Sequence, residues 1–254
     1  MKQQARKSVL KRIVHRSITL VCLGVFSYSL YQLAVIFIDY WQNDKVLSEI
    51  QQVYVYESID QTNEGEIRES FDPLLAINED IVGWITVNNT KIDYPILQAD
   101  DNDYYLDRNY RHEHTRAGSI FMDFRNDIQA NDPHTILYGH RMRDGSMFAQ
   151  LAQFLEQDFV DHHEGFYYDT LYDRYDVEVF SAYVTTTDFY YIETEFPSKD
   201  DYKAFLNELK KRSVVQTNVE VREEDQIITL STCDYRLDRD RGRLVVHGKL
   251  IPRT

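Results

Sequence analysis

Residues 18–38, ITLVCLGVFSYSLYQLAVIFI, carry no charged side chain over 21 positions. As an α-helix rising about 1.5 Å per residue, the run reaches roughly 31 Å, the depth of a bilayer's hydrocarbon layer. Whatever the rest of the chain does, it does so tethered to a membrane-spanning helix. Lys2, Arg6, Lys7, Lys11, Arg12 and Arg16 precede the run with no acidic residue among them. An excess of Lys and Arg marks the cytoplasmic side, so the N-terminus is expected in the cytoplasm and everything after residue 38 outside, in a single-pass protein of the cell membrane. A cleaved signal peptide is the weaker alternative. It has a shorter apolar core and a small-x-small cleavage site, whereas this run ends in Phe37, Ile38, Asp39, Tyr40 and Trp41, an aromatic belt.

Charge then narrows the partners. The chain has 28 basic and 42 acidic residues, and six of the basic ones lie before residue 38, which leaves 22 against 42 beyond the anchor. Binding a phosphate backbone is driven by Lys and Arg, so nucleic acid is excluded as a partner. Cys22 lies inside the apolar run, and Cys233 is the second of two cysteines, so the exterior part has no internal disulfide. An unpaired thiol outside the cell is either buried and inert or reactive, and the count leaves both open.

Residues 39–69 read as a membrane-proximal helix and spacer. Val46, Leu47, Ile50, Val53, Tyr54 and Ile67 fall at helix-compatible spacing, and 57–66 is poor in apolar side chains. The expected organisation is a basic stub at 1–17, an anchor at 18–38, the spacer at 39–69 and one compact domain over 70–254. Within that domain GWITV, KIDYPIL, GSIFMDF, HTILYGH, YDVEVFSAYVTT, QIITLST and RLVVHGKLI are short β-rich stretches between polar turns, the pattern of a barrel or sandwich. Two segments have helical period instead. Met147, Phe148, Leu151, Phe154 and Leu155 form one set, and Tyr202, Phe205, Leu206 and Leu209 the other. A β-barrel with at least two inserted helices is expected.

Cys233 follows the apolar run IITL and opens the charged loop DYRLDRDRGR. A thiol at a strand end facing Arg236, Arg239, Arg241 and Arg243 sits where a thiolate is stabilised; the alternative is a small core residue at the strand's last turn. A nucleophilic thiol needs a proton shuttle. His112, His114, His162 and His163 lie in polar stretches, His134 starts a strand after Pro133, and His247 alternates inside one. His140 ends an apolar strand after Gly139 and opens the turn RMRDG, the kind of loop where catalytic groups are held. The pairs HEH and HH are a weak metal signal, lacking nearby cysteines or a helical HExxH. Acyl transfer also needs a donor for the developing oxyanion. Arg243 starts the last strand, and a short loop back to the cysteine strand brings it near Cys233, while the other three arginines are not separable from solubilising charge.

Together TLSTC with Arg243 ten residues on, NEDIVGWITV, DNDYYLDRNY, GSIFMDFRN and ILYGHRMRDGSMF resemble a class B sortase, over about residues 70–252, in order and spacing. The resemblance implies an eight-stranded sortase β-barrel with N-terminal helices and a helix inserted before the cysteine strand, at SKDDYKAFLNELKKRSVV. It implies a membrane-anchored cysteine transpeptidase of a Gram-positive envelope, with Cys233 as nucleophile, His140 as general acid and base, and Arg243 as oxyanion stabiliser. Asn102, Leu106, Thr187, Tyr191, Ile192 and Ser231 match positions lining a groove for an NPxTN-like sorting signal cleaved after its Thr. The amine acceptor is a peptidoglycan precursor or a pilin lysine, and no cofactor or metal is implied. DPLL at 72–75 reads as a helix start rather than a pilin-sortase lid. The competing readings are a pilin-polymerising role, a cysteine peptidase of another fold, and a non-catalytic surface scaffold.

Overall fold

The computed structural model describes residues 2–54, 65–130, 132–163 and 165–253. Most of the expected spacer, residues 55–64, lies outside the described residues. The chain divides into two compact units, residues 1–45 and 46–254. The apolar run lies inside one helix, α1 (Lys2–Gln51). An 18-residue window within its stretch Val14–Gln51 reaches a mean hydropathy of 1.9, and that window is not buried by protein at all. Apolar side chains left uncovered along a helix of that length are what a lipid-facing span presents. The expected membrane-proximal helix is the continuation of α1, because neither Gly nor Pro stands between residues 39 and 51 to end it.

In the second unit, Asp72–Leu75 forms a one-turn helix, α2, with Pro73 at its start, where a missing N–H costs nothing. Phe71 and Leu74 are buried beneath it. Eight strands follow: β1 (Ile81–Thr86), β2 (Asp93–Leu97), β3 (Ile120–Met122), β4 (His134–Tyr138), β5 (Phe166–Thr170), β6 (Arg174–Thr186), β7 (Ile227–Cys233) and β8 (Gly242–Pro252). They close into a barrel in the order β1-β2-β3-β4-β7-β8-β6-β5, so no strand has a free edge. Ile85, Ile96, Ile120, Leu137, Ile228, Leu230 and Val246, all 0–1% exposed, belong to its core.

Two pairings set where the chemistry falls. Strands β4 and β7 are parallel, with Tyr138 opposite Ser231. His140 and Cys233 each stand two residues beyond that matched pair and therefore emerge at the same end of the barrel. Strands β7 and β8 are antiparallel, with Cys233 opposite Arg243.

The two expected inserted helices differ in kind. Between β6 and β7, α4 (Lys199–Arg212) buries Tyr202, Leu206 and Leu209. Ser198 caps it by accepting from the Asp201 amide, acidic residues fill its first turn, and Lys210, Lys211 and Arg212 fill its last, all as the helix dipole favours. Residues Phe148–Leu155 form a 3-10 helix instead of an α-helix. The reason is in the spacing: Phe148, Leu151 and Phe154 are the buried residues, three apart, which matches three residues per turn and not 3.6. A short α3 (Gln157–His162), absent from the sequence expectation, follows it with no buried residue.

Candidate active site

A cleft of about 270 Å3 opens at the end of the barrel where β4 and β7 terminate and β8 begins, and Cys233, His140 and Arg243 all line it. Two roomier hollows, about 520 Å3 beside His162 and His163 and about 620 Å3 beside Asp100 and Asp101, contain no thiol. The smaller cleft is the one that holds a thiol.

Cys233 is a free thiol at the last position of β7, half-buried rather than sealed in the core. This decides between inert and accessible in favour of accessible. His140 is also half-buried, and its Nε2 lies 2.7 Å from the Leu106 carbonyl oxygen. A carbonyl only accepts, so Nε2 carries the hydrogen and the neutral ring keeps its lone pair on Nδ1. The bond gives the imidazole a fixed orientation and tautomer, as a third group does in nucleophile–base arrangements generally.

Arg243 is held by its backbone opposite Cys233. Among the described residues its side-chain hydrogen bonds both run from Nη1, to the Gly242 carbonyl at 2.9 Å and the Asp240 carbonyl at 3.2 Å. The Nε and Nη2 donors remain to bind an oxygen in the cleft. The loop between Cys233 and Arg243 is closed by the Asp234 amide on the Gly242 carbonyl at 3.0 Å and the Gly242 amide on the Asp238 carbonyl at 3.2 Å.

Asp234, next to the thiol, is fully buried. Arg236 grips its carboxylate through Nε at 2.9 Å and Nη2 at 2.8 Å, and Arg141, next to His140, bonds its Oδ2. Burial alone would raise this carboxyl's pKa, but the hydrogen bonds from Arg236 and the charge of Arg141 hold it below the ordinary carboxylate value. The carboxylate thus clamps the residue after the histidine to the residue after the cysteine. Sequence reasoning missed this clamp, because nothing in a run of alternating acid and base tells which pairs meet.

Of the six residues expected in a substrate groove, Asn102, Leu106 and Ser231 line the cleft. Tyr191 stands behind it: the ring is buried and its hydroxyl lies 2.8 Å from Ser231 Oγ. Ile192 packs at the edge of the same apolar cluster. Thr187 does not line the cleft; it is exposed, and its amide donates to the Arg241 carbonyl at 3.0 Å. Phe121, Tyr138, Gly139 and Thr232 complete the lining without having been singled out. A Cβ at Gly139 would sit 2.8 Å from the Phe148 ring and 2.4 Å from Ile120, so glycine is what lets β4 turn into the histidine loop so close to the 3-10 helix.

The remaining histidines go elsewhere. His114 pairs with Asp107, His162 with Asp158, and His163 with Asn89, all at or near the surface. Among the described residues no cluster of three or more His, Cys, Asp or Glu has the geometry to hold a metal ion. His134 and His247 are buried in the barrel wall, away from the cleft.

Known proteins match the chain over most of its length. A sortase domain model matches residues 85–251. Sortase B of Listeria monocytogenes serovar 1/2a is 46% identical over 242 residues, which covers 95% of this chain and 98% of the relative. A crystal structure of sortase B from B. anthracis in complex with AAEK1 superposes with a TM-score of 0.78 at 52% identity, covering 85% of this chain and all of that one. A Staphylococcus aureus sortase B–substrate complex superposes with a TM-score of 0.78 at 39% identity, again covering 85% of this chain and all of the other. The domain match together with near-full-length identity to sortase B and a barrel shared over this length shows that the chain belongs to the sortase family, as a class B cysteine transpeptidase.

Proposed function

We propose that Cys233 is the nucleophile, His140 the general acid and base, and Arg243 the oxyanion donor in cleavage of a C-terminal sorting signal after its Thr. The observation that carries this is the convergence of the three side chains on one cleft through two strand registers. Cys233 Sγ, as the thiolate, attacks the Thr carbonyl carbon, and the oxygen takes the negative charge within reach of Arg243 Nε and Nη2. The C–N bond breaks as the departing amine takes a proton from His140 Nδ1, leaving a thioester and a neutral imidazole. An incoming amine then attacks the thioester, gives its proton to Nδ1, and displaces the thiolate. The Leu106 carbonyl, which accepts from Nε2 throughout, stabilises the imidazolium that gives up its proton in the first half-reaction and is regenerated in the second.

The groove is assigned to Asn102, Leu106, Ser231, Tyr191, Ile192 and Thr187, the first three facing the cleft. Its signal is NPxTN-like, and the acceptor is an amine of a peptidoglycan precursor or of a pilin subunit. The organisation that fits is a cytoplasmic stub at 1–17, a membrane anchor at 18–38, a membrane-proximal segment at 39–69 and a catalytic domain at 70–254 on the outer side. There, secreted signals and lipid-linked amines meet the cleft.

Full-length protein in detergent, incubated with NPxTN-like and LPxTG-like peptides with and without an added amine, tests the reading by mass spectrometry. Cleavage after Thr with an amine-joined product, absent in Cys233→Ala, is the expected result. Intact peptides together with a Cys233 that resists alkylation would overturn it.

A further inference from the structure

Asp123, one residue beyond β3, has no exposed surface. Its Oδ1 accepts from the Arg125 amide at 3.0 Å and Arg125 Nε at 2.8 Å. Its Oδ2 accepts from Arg125 Nη2 at 2.9 Å, Asn102 Nδ2 at 3.1 Å and the Tyr138 hydroxyl at 2.8 Å. Asn102 is fixed at both ends, because its Oδ1 accepts from the Phe124 amide at 3.0 Å. The carboxylate can only accept and the amide can only donate, so the side chain has one orientation. Arg125 reaches onward, donating from Nη1 to the Tyr190 hydroxyl at 2.9 Å and from Nη2 to the Ile192 carbonyl at 2.9 Å.

Each arm of this network ends on a different side of the cleft. Asn102 belongs to the loop that also carries Leu106, and Tyr138 ends β4 two residues before His140. Residues 190–192 flank Tyr191, which backs Ser231. Cys233, His140 and Arg243 make no hydrogen bond to Asp123 or Arg125. An ion pair removed from water is a poor way to gain stability, since apolar side chains would fill the volume at lower desolvation cost. What it supplies is geometry: a bidentate pair fixes direction as well as distance.

We propose that Asp123 and Arg125 are positioning residues that tie three sides of the cleft into one preformed groove for an extended peptide, an inference that rests on the reading of the cleft as the sorting-signal site. A groove held in its bound shape lowers the ordering cost of binding without touching the reacting atoms, so its loss falls on KM and not on the chemical step.

Arg125→Lys is the variant that tests this. It keeps a cation beside the buried carboxylate, but one ammonium cannot hold Asp123, Tyr190 and Ile192 together. KM for the signal peptide is expected to rise about tenfold, with kcat and the rate of Cys233 alkylation by iodoacetamide within about twofold of wild type. Asp123→Asn is expected to shift KM in the same direction. Tyr190→Phe, on an exposed ring, removes only the outermost bond and should raise KM less; it decides the matter if Arg125→Lys shows no cooperative melting. A KM unchanged in the folded variants, or a fall in kcat and alkylation rate with KM unchanged, overturns the tie while leaving the sorting-signal reading intact. Wild-type protein that turns over no signal peptide overturns that reading and the tie with it.

Discussion

In the proposed reaction Arg243 supplies a shape as much as a charge. The guanidinium keeps Nη1 on two loop carbonyls and has Nε and Nη2 left over. A lysine ammonium at the same place can satisfy the loop or meet an oxyanion, but it has no rigid fork with which to do both. Arg243→Lys is therefore expected to lower kcat/KM for peptide cleavage about 10²-fold, the scale of losing one preorganised oxyanion donor. Alkylation of Cys233, which forms no oxyanion, should change by much less. Steady-state kinetics beside an alkylation time course separate the two, and a variant with wild-type kcat/KM would remove Arg243 from the reaction. His140 differs in kind, because its partner is the Leu106 backbone. No side-chain substitution at Leu106 deletes that carbonyl, so the histidine's orientation depends on the loop's path and not on Leu106's identity.

The loop from Cys233 to Arg243 is the element on which both ends of the proposed chemistry hang, and Gly242 is where it closes. A Cβ there would lie 1.8 Å from the Asp234 carbonyl oxygen and 2.5 Å from that of Asp238. Both obstacles are backbone, so the loop itself must move. Gly242→Ala is expected to cost about 2 kcal/mol by urea denaturation and to reduce peptide cleavage, because the shift passes to the Cys233–Arg243 pairing. Unaltered stability and activity would mean the loop has slack that the structure does not show. The strands around this loop were largely legible in sequence. Seven of the eight fall on the β-rich stretches between polar turns, and the cysteine and histidine ends of β7 and β4 stood out by their change from apolar to charged. Strand β5, FYYDT, did not, because tyrosines suit either face of a sheet and blur the alternation that marks a strand. Nor did the parallel pairings β2–β3 and β4–β7, which join residues far apart in sequence and leave no local trace. The Asp234 and Asp123 networks were hidden for the same reason: which acid meets which arginine is decided by closure of the barrel.

Across the whole barrel, four neighbouring strands share a chain of side-chain hydrogen bonds whose direction can be worked out from one end. His134 Nδ1 on β4 lies 2.6 Å from the Glu193 carbonyl oxygen, so Nδ1 donates and Nε2 is bare. Thr229 on β7, 2.6 Å away, must donate to that Nε2. Its oxygen then accepts from Nδ1 of His247 on β8 at 2.6 Å, and His247 Nε2 accepts from the Tyr183 hydroxyl on β6 at 3.0 Å. The chain runs one way, and it requires both imidazoles to be neutral. A proton on either ring adds a donor where the chain has only a donor to face it. Burial accordingly lowers the His134 pKa to about 4 from 6.5, and that of His247 well below 6.5 through burial and the neighbouring His134. In the unfolded chain the same rings titrate near 6.5. Below that pH the unfolded state binds protons that the folded state refuses, so stability must fall as pH drops from about 6.5 toward 4 and stay level above 6.5. Each histidine contributes up to about 1.4 kcal/mol per pH unit in that window. Urea denaturation at pH 7, 6 and 5 is expected to show this decline, and His134→Asn, which cannot take up a proton, is expected to remove about half of the slope even if its stability at pH 7 is lower. Wild-type stability that is flat from pH 7 to 5 would show that the chain admits a proton after all. In that case the four strands are held by backbone pairing and apolar packing, with the histidines as passengers.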